Sequence, residues 1–134
     1  MSIKILAVDH IVFNVADIER SLEFYSRGLG LRAERVAEFR AGKVPFPSVR
    51  INAETIIDFF PPSYHKAAPG GQNVNHIALT LENTPTQIEA FLKEQGIEIA
   101  REMTGNFGAR GDTAHAFHVF DPDGNMLELH AYAD

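Results

Sequence analysis

Two histidines and two carboxylates carry the chemistry this chain can attempt, because of where they recur. VDHIVFNV (Val8–Val15) returns as VNHIALTL (Val74–Leu81), which sets His10 and His76 66 residues apart. SVRINAETIIDFF (Ser48–Phe60) aligns without a gap on HVFDPDGNMLELH (His118–His130), which pairs Asp58 with Glu128, 70 residues apart. Two imidazoles and two carboxylates at matching positions of a duplicated module are the donor set of a divalent-cation site. The chain has no cysteine, so disulfides, thiolate metal sites and a cysteine nucleophile are excluded.

The elements that must position these groups follow from local pattern. Ala7–Val15 and Val74–Leu81 are rich in Val, Ile, Leu and Phe and too short for helices, which predicts strands. After the first, Asp17 is an N-cap for a helix with Ile18, Leu22 and Tyr25 at helical spacing and Gly28 and Gly30 at its exit. After the second, Thr84-Pro85 is an N-cap followed by proline at the first helical position; Ile88, Phe91 and Leu92 form the apolar stripe and Gly96 ends it. Each helix leads into a strand (Leu31–Phe39; Ile97–Met103), a glycine-containing loop and two more strands (Ser48–Ile51 and Thr55–Phe60; Ala116–Phe120 and Met126–Tyr132). The last two are joined by the DPDGN turn, Asp121–Asn125. The reading is two βαβββ modules, about 1–60 and 74–134, joined by the Pro/Gly-rich linker 61–73 in a single domain.

Alternation along strands decides which side chains share a face. Ile11, Phe13 and Val15 oppose His10, Val12 and Asn14; Ile77, Leu79 and Leu81 oppose His76, Ala78 and Thr80; Leu127 and Leu129 oppose Met126, Glu128 and His130; Ile57 and Phe59 oppose Ile56, Asp58 and Phe60. The apolar face packs on the helices, and the other, with both histidines and both carboxylates, forms a pocket. His118 shares that pocket face, as a general acid or base or as a polar residue closing a strand. His130 falls at the rim, and His65 and His115 fall in surface loops. Arg50 either clamps an anionic substrate group bidentately or makes a structural ion pair. Phe60, Tyr64, Phe107 and Tyr132 line the substrate cavity or fill the core. Asp58 either coordinates, leaving two octahedral positions open, or steers a histidine ring and leaves a 2-His-1-carboxylate triad with three.

Bulk properties remove several function classes. A length of 134 residues with 45% hydrophobic content supports one core-forming domain. A net charge of −6 without a basic run argues against a nucleic-acid binder. The N-terminus lacks a signal peptide's apolar region, and no apolar run reaches the ~18 residues of a membrane span, so a cytoplasmic protein is expected. The GNFGARG stretch (Gly105–Gly111) lacks the Lys-Ser/Thr ending of a phosphate loop.

At these residues the chain resembles the vicinal oxygen chelate superfamily, the glyoxalase, bleomycin-resistance and extradiol-dioxygenase group. The resemblance is most specific in VDHIVFNVADIERSLEFYSRGLGL and FHVFDPDGNMLELHAY. It implies an α+β fold in which two tandem βαβββ modules form curved mixed sheets around a concave metal-binding cleft. The metal positions of the family match His10, His76 and Glu128, with Asp58 where glyoxalase I enzymes usually have Glu. A divalent metal (Fe, Mn, Ni, Co or Zn), a small-molecule substrate and a homodimer are implied. So is a glyoxalase I-like lyase or isomerase that chelates two adjacent substrate oxygens and stabilises an enediolate-type intermediate, with Glu128 as base and Asp58 as its mirror partner. The rival enzyme is an extradiol dioxygenase using Fe(II), with His118 as acid or base; thiol addition to an epoxide has only Arg50 behind it. A rival of another class is a metal-free, bleomycin-sequestering binding protein, which has no reason to keep ligands at all four positions.

Overall fold

The computed structural model describes residues 1–68, 70–122 and 124–132, and for residues 112 and 113 the backbone alone. The chain forms two compact units, Ile11–Asn75 on one hand and Met1–His10 with His76–Asp134 on the other. These boundaries differ from those of the repeat, because the first strand, β1 (Ile5–Asn14), contributes to both and the linker belongs to the first.

In the unit Ile11–Asn75, Asp17 caps helix α1 (Ile18–Leu22) by accepting the Arg20 amide, and the helix runs on as a π-helical turn over Glu23–Gly28. Strands β2 (Arg32–Glu34), β3 (Ser48–Arg50) and β4 (Ile56–Phe60) follow, in the order β2-β3-β4-β1. β3 pairs antiparallel with both β2 and β4, with Ser48 opposite Asp58. Ile18, Leu22, Val49, Ile57 and Phe59 form the core, with Phe13, Tyr25, Val36 and Phe39 packed on it. The single strand expected over Leu31–Phe39 is corrected: only Arg32–Glu34 is extended. Arg35 adopts a left-handed conformation (φ 63°), which breaks the strand, and helix α2 (Val36–Arg40) then brings Val36 and Phe39 onto the core at helical spacing.

In the other unit, β5 (Val74–Leu81), β6 (Arg101–Gly108), β7 (Gly111–Phe120) and β8 (Met126–Ala131) follow β1 in the order β1-β5-β8-β7-β6. β5 and β8 are parallel with Ala78 opposite Glu128, and β7 runs antiparallel to β8 with His118 opposite Glu128. First and last strands of a module lying side by side and parallel is what a βαβββ unit requires, and the mixed strands with few helices make the fold α+β. Helix α3 (Pro85–Glu94) starts as expected: Thr84 and Gln87 form a reciprocal capping box and proline occupies the first turn. Its Ile88 and Leu92 bury against Leu81, Phe117, Val119, Leu129 and Ala131, each contributing roughly 1.5–3 kcal/mol of apolar burial.

Two expectations are corrected in this unit. The strand expected at Ile97 begins only at Arg101, and the loop expected over Gly105–Ala114 is a hairpin in which β6 and β7 reach Gly108 and Gly111. The glycines misled because they mark irregular pairing rather than a loop; Gly105 (φ 69°) lies where the β6–β7 register shifts between Met103 and Asn106. His115 therefore sits on β7, where it bonds Glu102 at 2.7 Å. Asp121 closes the DPDGN turn on Asn125, and Asp123 lies outside the described residues. Among the described residues no helix is long and apolar enough to cross a membrane.

Candidate metal centre

The alternation read from the sequence places His76 on β5, His118 on β7 and Glu128 on β8 opposite the apolar face that holds Leu79, Phe117 and Leu129. His10 from β1 joins them. His10, His76 and Glu128 are all buried, and each offers a ligand atom within 4.8 Å of the others. Glu128 is the hub. Its Oε2 lies 3.1 Å from His10 Nε2 and 3.9 Å from His76 Nε2. The carboxylate also accepts from His118 Nε2 at 2.7 Å on Oε1 and from His130 Nε2 at 2.5 Å on Oε2.

The charge states follow from these contacts. Burial pushes the Glu128 carboxyl up, but hydrogen bonds from His10, His118 and His130 outweigh it and hold the group far below the usual carboxylate range. Burial lowers His76 to about 4 against the opposing pull of Glu128, so its ring is neutral near pH 7, the form that binds metals. His10 Nδ1 lies 2.7 Å from Asp9 Oδ1. Asp9 itself is driven up by burial and down, to about 2, by hydrogen bonds from His10, Tyr132 and the Ala109 amide. Both carboxylates beside His10 only accept, so Nδ1–H is given to Asp9 Oδ1 and Nε2 meets Glu128 Oε2 across a proton or, where a metal displaces that proton, across the cation. Two acceptors 3.1 Å apart in a buried site repel unless a proton or a cation lies between them. With His130 Nε2–H given to Glu128, its buried Nδ1 has no hydrogen-bond partner; His130 groups with Asp9 and His10 as a second set of side chains able to ligate. The donor set of two imidazoles and a carboxylate, backed by a carboxylate on the far ring nitrogen of His10, fits a divalent cation.

The other residues singled out in the sequence divide. His118 lies against Glu128, as its place on the pocket face requires. The rim position expected for His130 is corrected, since its ring is fully buried within the cluster. Tyr132 gives its hydroxyl to Asp9 at 2.6 Å, and burial followed by that bond raises its pKa. Phe107 is on β6 and partly buried. Asp58, Arg50 and Phe60 belong to the unit Ile11–Asn75. There Asp58 is buried and accepts from Ser48 Oγ at 2.5 Å. Arg50 forms the ion pair that was one of its two readings, with Nε and Nη2 on the two Glu34 oxygens at 2.7 and 3.0 Å. Phe60 packs against Phe46 and Tyr64 and stacks on His65. The sequence reading missed Asp9, because strand parity counts it with Ile11 and Phe13. It also missed Thr80 and Gly108, whose roles emerge only from the contacts around Asp9. The signal available was the Asp-His pair itself, a carboxylate beside a candidate ligand.

Comparison with known proteins agrees with this geometry. Residues 7–129 match the family model of the glyoxalase/bleomycin resistance protein/dioxygenase superfamily. The chain is 31% identical to lactoylglutathione lyase of Escherichia coli O157:H7 over 123 residues, covering 90% of this chain and 88% of that protein. It is 28% identical to the glyoxalase domain-containing protein RDO1 of Mycosarcoma maydis, over 98% of this chain and 72% of that protein. The fold is similar to that of the Mn(II)-bound glyoxalase of Novosphingobium aromaticivorans, with a TM-score of 0.64 and 15% identity over 98% of this chain and 40% of the other. The match spans both modules and the strands that bear His10, His76 and Glu128: the chain belongs to the glyoxalase/bleomycin resistance protein/dioxygenase superfamily.

Proposed function

We propose that the chain is a divalent-metal-dependent lyase or isomerase of glyoxalase type, acting on a small substrate with two adjacent oxygens. The observation that carries this reading is the convergence of His10, His76 and Glu128 as buried side chains able to ligate, with Asp9 behind His10 and with His118 and His130 on Glu128. The 31% identity with a lactoylglutathione lyase supports the reaction class, and a manganese-bound structural neighbour supports the cofactor. When bound, the cation supplies Lewis-acid polarisation of substrate oxygens. Glu128 would take a proton from a carbon next to a carbonyl and return it to the former carbonyl carbon, while the hydroxyl proton passes to the other of the two adjacent oxygens. His118 steadies that carboxylate through the bond to Oε1. Phe60 and Phe107 are proposed walls of the substrate cavity. Asp58 is included as a fourth donor, and as mirror partner of Glu128, on the strength of the repeat alone. The D58N variant should then bind metal at least about tenfold more weakly, since even groups that only steer a ligand are worth ~10–100-fold; unchanged affinity would remove Asp58 from the set. A homodimer in the cytoplasm, without nucleic-acid or membrane partners, completes the proposal.

One arrangement favours a second reading. The triad of two imidazoles and one carboxylate with His118 beside it is also what an Fe(II) ring-cleaving dioxygenase needs. Anaerobic reconstitution with Mn, Fe, Co, Ni or Zn, followed by parallel assays with a hemithioacetal and with catechols under oxygen, separates the two. Isomerisation without oxygen uptake supports the lyase; iron-dependent oxygen uptake replaces it with the dioxygenase. Failure to bind any of these metals favours a sequestering protein.

A further inference from the structure

Asp9 is completely buried, and its carboxylate accepts hydrogen bonds from four separate elements. On Oδ1 it receives His10 Nδ1–H at 2.7 Å and the Ala109 amide at 2.8 Å. On Oδ2 it receives Thr80 Oγ1 at 2.9 Å and Tyr132 OH at 2.6 Å. The donors come from β1, the β6–β7 turn, β5 and the residue after β8. Tyr132 reinforces the turn by accepting the Arg110 amide at 3.2 Å, with the Arg110 guanidinium over its ring. The space is tight. A Cβ on Gly108 would collide with the Tyr132 hydroxyl, come within 2.5 Å of Asp9 Oδ1 and lie 3.0 Å from His130 Cε1.

Such a full acceptor shell is more than burial of one charge requires, and its geometry has two consequences. The ring of His10 is fixed with its proton on Nδ1 and Nε2 turned to Glu128. The same carboxylate ties the tip of the β6–β7 hairpin to the strand that carries His10. We propose that Asp9 is the positioning residue of the centre: it sets the tautomer and orientation of His10 and couples them to the Gly108–Gly111 turn through Ala109 and Tyr132. It acts through His10 rather than as a ligand, and the role rests on the metal reading of the preceding section.

The test uses the full chain, wild type and three variants, with Mn(II) and Co(II) as probes. Long-range ¹⁵N–¹H spectra of the metal-free protein report the His10 tautomer, and titration reports affinity and stoichiometry. Wild type is expected to show the Nδ1–H form and one metal per chain. In D9N the Ala109 amide holds the side-chain oxygen at the Oδ1 place and the NH₂ faces the Thr80 and Tyr132 hydroxyls, so His10 keeps an acceptor but loses the negative charge behind it; the preference for the Nδ1–H form falls and metal binds about 10–100-fold more weakly, the range typical of an outer-shell partner. Y132F and G108A alter the surroundings of Asp9 without touching His10, and should weaken binding by a smaller factor and speed amide exchange at Ala109 and Arg110. D9N with the wild-type tautomer and affinity overturns the proposal. Two metals per wild-type chain, falling to one in D9N, overturns it as well, because Asp9 would then be a ligand. If D9N does not fold, unchanged affinity in both Y132F and G108A overturns it. Wild type that binds neither metal refutes the metal centre instead, and the tautomer comparison still decides the role of Asp9.

Discussion

Replacing Glu128 with Gln tests the hub of the cluster with almost no change in volume. The carboxylate accepts on both oxygens, from His118 on one and His130 on the other, and Oε2 also faces His10 and His76. An amide keeps one acceptor and converts the other to a donor. Its oxygen should take the Oε2 place, because a donor there would meet His130 Nε2–H, and moving that proton to the buried Nδ1 would leave it without an acceptor. The NH₂ then faces His118, whose ring can change tautomer. The variant should fold, yet it loses the only negative charge of the triad. A hundredfold loss of metal affinity corresponds to about 2.7 kcal/mol. For 134 residues, an unfolding entropy of about 2.1 cal/mol/K per residue gives roughly 280 cal/mol/K. Metal at a hundred times the wild-type Kd stabilises the wild type by about 2.7 kcal/mol, a rise in Tm of about 10 °C. The variant at the same concentration gains about 0.4 kcal/mol, or roughly 1.5 °C. Differential scanning calorimetry with and without Mn(II), Co(II) or Zn(II) reads this directly, and comparing each protein with its own metal-free state cancels intrinsic stability changes. Equal metal-induced shifts in wild type and E128Q would refute the assignment of Glu128 as a ligand.

Three further outcomes follow from particular contacts. The R50M variant should lose about 1 kcal/mol near neutral pH, because the pair with Glu34 is partly buried and bidentate. Hydrogen bonding from Arg50, opposed by burial and helped by Arg32, holds Glu34 below its ordinary pKa of 4.5. The pair's contribution is therefore complete above about 4.5 and fades as pH falls through the lower folded value; denaturant melts from pH 7 to 3 should show the gap between R50M and wild type closing at the acid end, and a constant gap contradicts this. T84A should lower Tm by about 3–4 °C, the effect of ~1 kcal/mol for a lost cap, and leave metal affinity unchanged. I88A, at a fully buried position on α3, should cost about 2–5 kcal/mol in chemical denaturation, and a loss below 1 kcal/mol would show that the helix is not packed as described.

The duplicated pattern carried much of the architecture because it speaks of periodicity. Thr84-Pro85 and Asp17 named their helix starts, and strand parity put His76, His118 and Glu128 on one face and Leu79, Phe117 and Leu129 on the other. What the pattern could not carry is local geometry without a residue-type marker. Arg35 has a positive φ that nothing in its side chain announces, so the pattern alone predicts a strand running through it. The glycines of GNFGARG suggested a loop, whereas they accommodate a bulged hairpin. Asp9 counts by parity with the apolar face, and only the converging donors Thr80, Tyr132 and Ala109 reveal it beside the site. His130 has the right parity, but its depth depends on Gly108 and Tyr132 closing over it, a tertiary fact.

The most direct test of the metal centre is anomalous scattering from crystals grown with Mn(II) or Co(II), collected on both sides of the metal's absorption edge. A single peak bonded to His10 Nε2, His76 Nε2 and a Glu128 oxygen, at the roughly 2.0–2.2 Å typical of nitrogen and carboxylate ligands, is the expected result. A peak elsewhere, or strong occupancy that leaves any of the three beyond bonding distance, would contradict the account.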